Sequence, residues 1–210
     1  MDLICFDLDN TLINSEKANF YAYNYALRKN RFSEWKFHDM VVLFGKPHEE
    51  LISILMNPKD KTLIKKIKKD YEHILINKFY KYARVKKGVK KTLKQLSKRY
   101  LIAIVSNASY KSIISLLKGA NLNKNHFSII IGNDQVKHSK PYPDEILKAE
   151  KLIHHRAKCI IGDSIYDIIA GKMAKVKTIA ILSNRYSKKK LIQFKPDYLV
   201  NKIPDILKIL

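Results

Sequence analysis

Four places in this chain put reactive side chains directly beside short apolar runs. Residues 2–6 lead into Phe6-Asp7-Leu8-Asp9-Asn10-Thr11-Leu12, with two carboxylates two positions apart. If the extended backbone persists, both face the same side. The run 101–105 ends in Val105-Ser106-Asn107, a hydroxyl followed by an amide. After the run 127–131 come Asn133-Asp134 and then Ser139-Lys140-Pro141-Tyr142-Pro143-Asp144, where a lysine stands just before a helix start. The run 158–161 leads into Ile161-Gly162-Asp163-Ser164-Ile165-Tyr166-Asp167. Its two acids, spaced i and i+4 around a first helical turn, share one helix face. Singly each feature is ordinary, since an aspartate after a strand is often only a helix cap. In order, at the ends of successive apolar runs, they suit phosphate chemistry. Crowded carboxylates call for a cation, and an oxygen-lined site suits Mg²⁺, which keeps waters and bridges to phosphate. A carboxylate can also attack phosphorus and hold the phosphoryl group as an acyl phosphate, while a hydroxyl and a lysine offset charge during transfer.

The elements that must position these residues follow from periodicity. Continuous apolar runs at 2–6, 101–105, 127–131 and 158–161, a fifth at Val176 to Leu182 and a short sixth near Tyr198 to Val200 read as strands buried on both faces. Helical patterns over 88–99, 109–120, 143–153 and 164–173 alternate with them, with Ser109 preceding one and Pro143-Asp144-Glu145 opening another. This alternation predicts an α/β fold, a Rossmann-like doubly wound parallel sheet whose strand carboxyl ends form the ligand crevice. It breaks once. Residues 14–84 carry helical periodicity and no strand: a helix near 15–30 with Phe20, Tyr21, Tyr23 and Tyr25, a piece from Trp35 to Phe44, a helix near 48–56 and a long one near 60–81. They are expected to form a small all-helical cap domain inserted after strand 1 into a catalytic core of residues 1–13 and 85–210, with the aromatic stripe as its packing.

The set Asp7-x-Asp9-x-Thr11, Ser106, Lys140 and Gly162-Asp163-x-x-x-Asp167 resembles the four motifs of the haloacid dehalogenase-like superfamily. The resemblance spans nearly the whole chain, and the insertion after the first motif is similar to the C1-type cap of the phosphoglycolate-phosphatase-like branch. It implies an Mg²⁺-dependent phosphatase acting on small phosphate monoesters, phosphoglycolate-like, sugar phosphate or nucleotide. Asp7 would be the nucleophile, and Asp9 would protonate the leaving alkoxide and then deprotonate the attacking water. Asp7, the main-chain carbonyl of Asp9 and Asp163 would hold Mg²⁺, with Asp167 a ligand through water or a support. Ser106 would donate to a phosphoryl oxygen and Lys140 would balance negative charge. Thr11 and Asn107 complete the substrate side in supporting roles, and Lys46 or His48, in Gly45-Lys46-Pro47-His48, would reach from the cap to a substrate carboxylate or phosphate. An acid at position 9 is expected of phosphatases and phosphomutases, not of dehalogenases. Leu8, where P-type ATPase-like chemistry has a lysine, argues against that branch. Two alternatives stay open: a phosphomutase similar to β-phosphoglucomutase, and a nucleic-acid-binding protein with a vestigial site.

The formal charge of +22 bears on the second alternative, because a basic surface attracts phosphate backbones. Only six of the 41 positive residues are arginines, however. The lysines are spread over amphipathic patterns such as Lys65-Lys66-Ile67-Lys68-Lys69, which is how a solvated helix face reads. Nucleic acid is therefore a secondary expectation, with a small phosphate ester the main partner. Cys5 and Cys159 lie in apolar runs and read as reduced core thiols. No apolar stretch approaches a membrane span and the first strand starts at once, so a cytoplasmic monomer or homodimer is expected. For His138, just before the lysine motif, two readings stay open, lining the site entrance or standing idle; histidines 38, 73, 126, 154 and 155 show no ligand spacing.

Overall fold

The apolar runs become strands, and the strand order decides which polar residues meet. The computed structural model describes residues 1–56, 60–183 and 185–210, apart from the side chain of Met56; residues 57–59 of the expected cap lie outside the described residues. In chain order the elements are β1 (Asp2–Phe6), β2 (Ile13–Asn14), α1 (Glu16–Lys29), α2 (Phe37–Val41), α3 (His48–Met56), α4 (Lys61–Asn77), β3 (Arg84–Val85), α5 (Val89–Leu96), β4 (Tyr100–Ser106), α6 (Tyr110–Gly119), β5 (Ile129–Gly132), α7 (Asp144–Ile153), β6 (Ala157–Gly162), α8 (Ile165–Met173), β7 (Lys177–Ile181), α9 (Lys188–Gln193) and β8 (Tyr198–Val200).

Six strands form one sheet in the order β5-β4-β1-β6-β7-β8, every neighbouring pair parallel. Phe6 at the end of β1 pairs with Ile104 on one side and Ile161 on the other. The winding direction reverses here: the chain goes outward from β1 through β4 to β5, then returns to β6 on the other flank of β1. Ligands bind at such a switch point, outside the carboxyl ends of the strands.

Both faces of the sheet are covered, which is why its strands are apolar throughout. Alternate residues divide between the faces. Ile4 and Phe6 join Ile104 and Ile161 beneath Val89 and Leu93 of α5 and Ile113 of α6. Leu3 and Cys5 join Val105 and Ile160 against Ile146 and Ala149 of α7 and Ala170 of α8. Cys5 and Cys159 thus pack on opposite faces, both buried and free.

Among the described residues of 14–84 the regular elements are helices apart from the two ends, where β2 and β3 pair antiparallel, Ile13 with Val85 and Asn14 with Arg84. Within the insertion α1 packs on α4, and Tyr23 stacks on Tyr71 with ring centroids 4.0 Å apart. Of the expected aromatic stripe only Tyr23 is fully buried, and Tyr21 lies exposed in a surface group with Phe79 and Tyr82. The apolar interior of the insertion is continuous with the α5 and α6 side of the sheet.

Three details depart from the sequence reading. The β2–β3 pair and the short helix α9 were not anticipated, since two-residue strands carry no periodicity and α9 buries only Leu191. The third major strand starts at Ile129 rather than 127, because a 3₁₀ turn over Lys124–His126 precedes it. Among the described residues, no helix is long and apolar enough to cross a membrane.

Leu27 of α1 is fully buried in this continuous core, whereas Leu147 of α7 is exposed. Leu27→Ala should therefore lower the urea-unfolding free energy by about 2–5 kcal/mol, and Leu147→Ala should stay within about 0.5 kcal/mol of the unchanged protein. Equal costs at the two sites would contradict the core assignment.

Candidate active site

Asp7 is the first residue beyond β1, tied into the sheet by its amide donating to the Ile161 carbonyl at 2.8 Å. The chain then turns sharply: the amides of Thr11, Leu12 and Ile13 all point to the Leu8 carbonyl, and Asn10 sits in the left-handed region with φ 61°. The turn separates the two carboxylates of the Asp-x-Asp pair. Asp7 faces the ends of β4 and β6, while the Asp9 side chain accepts a hydrogen bond from the Ser15 hydroxyl. A buried polar chain extends that contact into the insertion: Tyr71 donates to Asn19 at 2.8 Å, and Asn19 donates to Ser15 at 3.2 Å.

Lys140 is the hub. Its ammonium, only 2% exposed, donates to Asp7 Oδ1 at 2.7 Å, to Asp167 Oδ1 at 2.6 Å and to the Val105 carbonyl at 3.0 Å. Those three bonds use all its hydrogens. Asp167 in turn accepts from the amide and hydroxyl of Ser164 at 3.1 and 2.6 Å, while its own amide donates back to the Ser164 hydroxyl, so the capping box of α8 also orients the acid. Gly162 makes room for it, since a Cβ there would lie 2.2 Å from Asp167 Cγ.

Asp7, Asp163 and Asp167 each offer a carboxylate oxygen, and these atoms lie within 4.8 Å of one another. Asp163 is fully buried, and its Oδ2 has no partner among the described residues. Its Oδ1 accepts from Thr11 at 3.4 Å and lies 3.7 Å from Arg185 Nη1. An all-oxygen donor set with an orphaned, buried carboxylate oxygen fits a hard divalent cation such as Mg²⁺.

Over this floor lies a cavity of about 50 Å³, lined by Asp7, Asp9, Ser106, Asn107 and Lys140 below and by Tyr23, Phe44, Lys46, His48 and Tyr71 of the insertion above. At roughly 10–15 Å³ per water, it holds a few waters or one phosphate-sized group. Ser106 Oγ accepts from the Ala108 amide at 3.2 Å, which leaves its hydrogen free to donate. The Asn107 amide donates to the Lys140 carbonyl at 3.0 Å.

One expectation is corrected. Thr11, placed on the substrate side by its motif, is fully buried with its hydroxyl turned to Asp163, and it does not line the cavity. His48 lines the cavity as a neutral ring: it is hydrogen-bonded to the Tyr23 hydroxyl, and burial with Lys68 nearby lowers its pKa. Lys46 lines the cavity with its ammonium paired to Glu50. His138 lies outside it, in an adjoining groove.

Arg185, which sequence reading passed over as one of six scattered arginines, enters the site with a buried side chain and donates to the Asp9 carbonyl at 3.2 Å. The signal was its position, a few residues past the end of β7. Ser15, Asn19 and Lys86 were also missed; Lys86 donates to the Asn10 carbonyl at 2.6 Å.

Burial raises the Asp7 pKa to about 7; Lys140 opposes the shift, and Asp167, Asp163 and Asp9 add to it. Asp163 is likewise raised by burial against the pull of Arg185. For Lys140 burial acts downward, yet Asp167 and Asp7 outweigh it and hold the ammonium charged. Lys140 and Arg185 together facing three buried acids still leave a deficit of positive charge.

Comparison with known proteins adds independent findings. A family model described as haloacid dehalogenase-like hydrolase matches residues 4–181. The chain is 26% identical to pyrophosphatase PpaX of Bacillus mycoides (strain KBAB4) over 216 aligned positions, covering all of this chain and 97% of that protein. Among solved structures, a haloacid dehalogenase-like family hydrolase from Streptococcus pneumoniae superposes with a TM-score of 0.85 at 21% identity, covering 100% and 98% of the two chains. A protein described as a predicted phosphoglycolate phosphatase from Haemophilus somnus 129pt gives 0.86 at 24%, covering 100% and 97%. At those identities the structures speak for the fold alone.

The raised Asp7 pKa has a consequence for the metal-free fold. The unfolded chain releases this proton near pH 4, roughly the ordinary aspartate value, whereas the folded chain holds it to about 7. Through Asp7 the folded state thus holds an extra proton across that window, and this group's contribution to stability falls as pH rises from about 4 to 7, then levels off. In EDTA the urea midpoint of the unchanged protein, taken relative to that of Asp7→Asn, should therefore be lower at about pH 8 than at about pH 5. A difference between the two proteins that stays constant or grows with pH would refute it.

Proposed function

Since the chain belongs to the haloacid dehalogenase-like hydrolase family, we propose that it is an Mg²⁺-dependent phosphatase of small phosphate monoesters that works through an aspartyl phosphate on Asp7. One observation carries the reading: Lys140 bridges Asp7 and Asp167 at 2.7 and 2.6 Å under a cavity that also exposes Ser106. A buried lysine in that position holds the Asp7 carboxylate still and offsets the charge of an arriving phosphoryl group.

In this mechanism an Asp7 carboxylate oxygen attacks phosphorus and the ester oxygen leaves with a proton from Asp9. Water then gives a proton to Asp9, attacks the same phosphorus and releases phosphate and free Asp7. Ser106 and Lys140 supply hydrogen bonds and charge to the phosphoryl oxygens throughout, since this transfer depends mostly on positioning and electrostatics. The Ser15 hydroxyl, anchored through Asn19 and Tyr71, orients Asp9 toward the leaving group. Asp7, Asp163 and the Asp9 carbonyl would hold Mg²⁺, with Asp167 in support, and the bound ion would neutralise phosphate charge and orient the ester. Residues 14–84 act as a cap over a core of 1–13 and 85–210, excluding water from the acyl phosphate.

The small cavity and its largely aromatic roof favour a leaving group no larger than glycolate or a second phosphate over a hexose, which weighs against the phosphomutase. Pyrophosphate, the substrate in the name of the Bacillus relative, has the right size and belongs beside phosphoglycolate, sugar phosphates and nucleoside monophosphates in a substrate panel. The fully bonded Lys140 weighs against a vestigial site.

Asp7→Asn should abolish turnover of an aryl phosphate with the fold retained by circular dichroism. Asp9→Asn should slow turnover about 10²–10⁴-fold. EDTA should silence the enzyme and Mg²⁺ restore it. Undiminished activity in Asp7→Asn, or activity indifferent to EDTA, would end the respective part of the proposal.

A further inference from the structure

Arg185 is a guanidinium sealed into the site without being properly bonded there. Its side chain is 2% exposed, yet its nearest approach to Asp163 is 3.7 Å, beyond hydrogen-bond length. Its one good bond goes to the Asp9 carbonyl at 3.2 Å, and its Nε has no partner among the described residues. The acid facing it is equally unfinished, with Asp163 Oδ2 unpartnered. A buried arginine–carboxylate pair that serves as a permanent structural bridge is expected to be bidentate with its remaining polar atoms satisfied, because desolvating both ions is otherwise uncompensated. Here the charge is supplied and the bonds are left open.

The Asp9 carbonyl that Arg185 engages is one of the ligands assigned above to Mg²⁺, and the Asp163 carboxylate that it faces is another. Electrostatics points the same way. A divalent cation on those atoms would bring two more positive charges close to the guanidinium, and the two would repel. Without the ion, Arg185 is the positive charge that accompanies Lys140. Its niche is shaped for it by the insertion: a Cβ on Gly45, which has φ +94°, would lie 2.9 Å from Arg185 Nη1.

We propose that Arg185 is a tethered place-holder for the divalent cation, neutralising the acidic cluster in the metal-free protein and leaving when the ion binds. The inference rests on the Mg²⁺ reading above and goes beyond it, since it makes the arginine a competitor of the metal and not a partner of the substrate. Because the niche wall is Gly45, occupancy of the metal site also changes what the cap loop packs against.

The test uses the full chain stripped with EDTA, with Mg²⁺ binding followed by calorimetry and arginine labelling by phenylglyoxal read by peptide mass spectrometry. Without metal, the buried Arg185 should label far more slowly than exposed arginines such as Arg28 and Arg156. Saturating Mg²⁺ should speed its labelling by about tenfold or more, and Asp163→Asn should remove that dependence on Mg²⁺. Arg185→Gln should bind Mg²⁺ on the order of tenfold tighter, with Arg185→Lys in between. If calorimetry shows Mg²⁺ binding while Arg185 labelling stays slow, or the Gln variant binds no tighter, the place-holder idea is overturned and the metal reading stands. If the unchanged protein binds no Mg²⁺, both fall. The labelling arm needs no variant, so a poorly folding Arg185→Gln does not rescue the proposal.

Discussion

A single buried ammonium governs this site. Lys140 satisfies two aspartates and a strand-end carbonyl at once, and those acceptors come from β1, β4 and the first turn of α8. Carboxylates held so far from water repel one another strongly, and each would prefer its proton to its charge. The lysine lets them be assembled at all, and in doing so sets their orientation to within a hydrogen bond. Breaking such a cluster from one side leaves a buried charge unpaired, which is more damaging than never building it.

The sheet makes that arrangement possible. Placing β1 between β4 and β6 brings the ends of three strands side by side, so acids distant in the chain reach one another across a few ångströms. The same strands are apolar on both faces, which keeps water out from below and strengthens every charge interaction above. Local backbone devices finish the geometry. The turn after Asp7 divides the labour between the two acids of the Asp-x-Asp pair, and the Ser164–Asp167 capping box combines helix initiation with aiming a carboxylate.

The insertion contributes a roof and a tether. Its stacked Tyr23 and Tyr71 help close a small cavity over a charged floor, and the hydrogen-bonded run from Tyr71 through Asn19 and Ser15 ends on Asp9. Packing of the insertion and the orientation of an acid in the site are therefore linked through buried polar bonds, whose alternatives are few and costly. Gly45 against Arg185 is a second link between the same two parts.

By itself, the sequence determined the six strands, most helices, the insertion and the set of acids with Lys140, because each is written locally, as a run, a period or a motif at a strand end. Even Ser106 and Asn107 were legible, since a polar pair closing an apolar strand has few other reasons to be there. Only the tertiary structure decided that Thr11 turns to Asp163, that burial keeps His48 neutral and that Arg185 enters among the acids. Those outcomes depend on which groups meet across stretches of chain far longer than any local pattern and on how much water is left between them, and no local pattern carries that information.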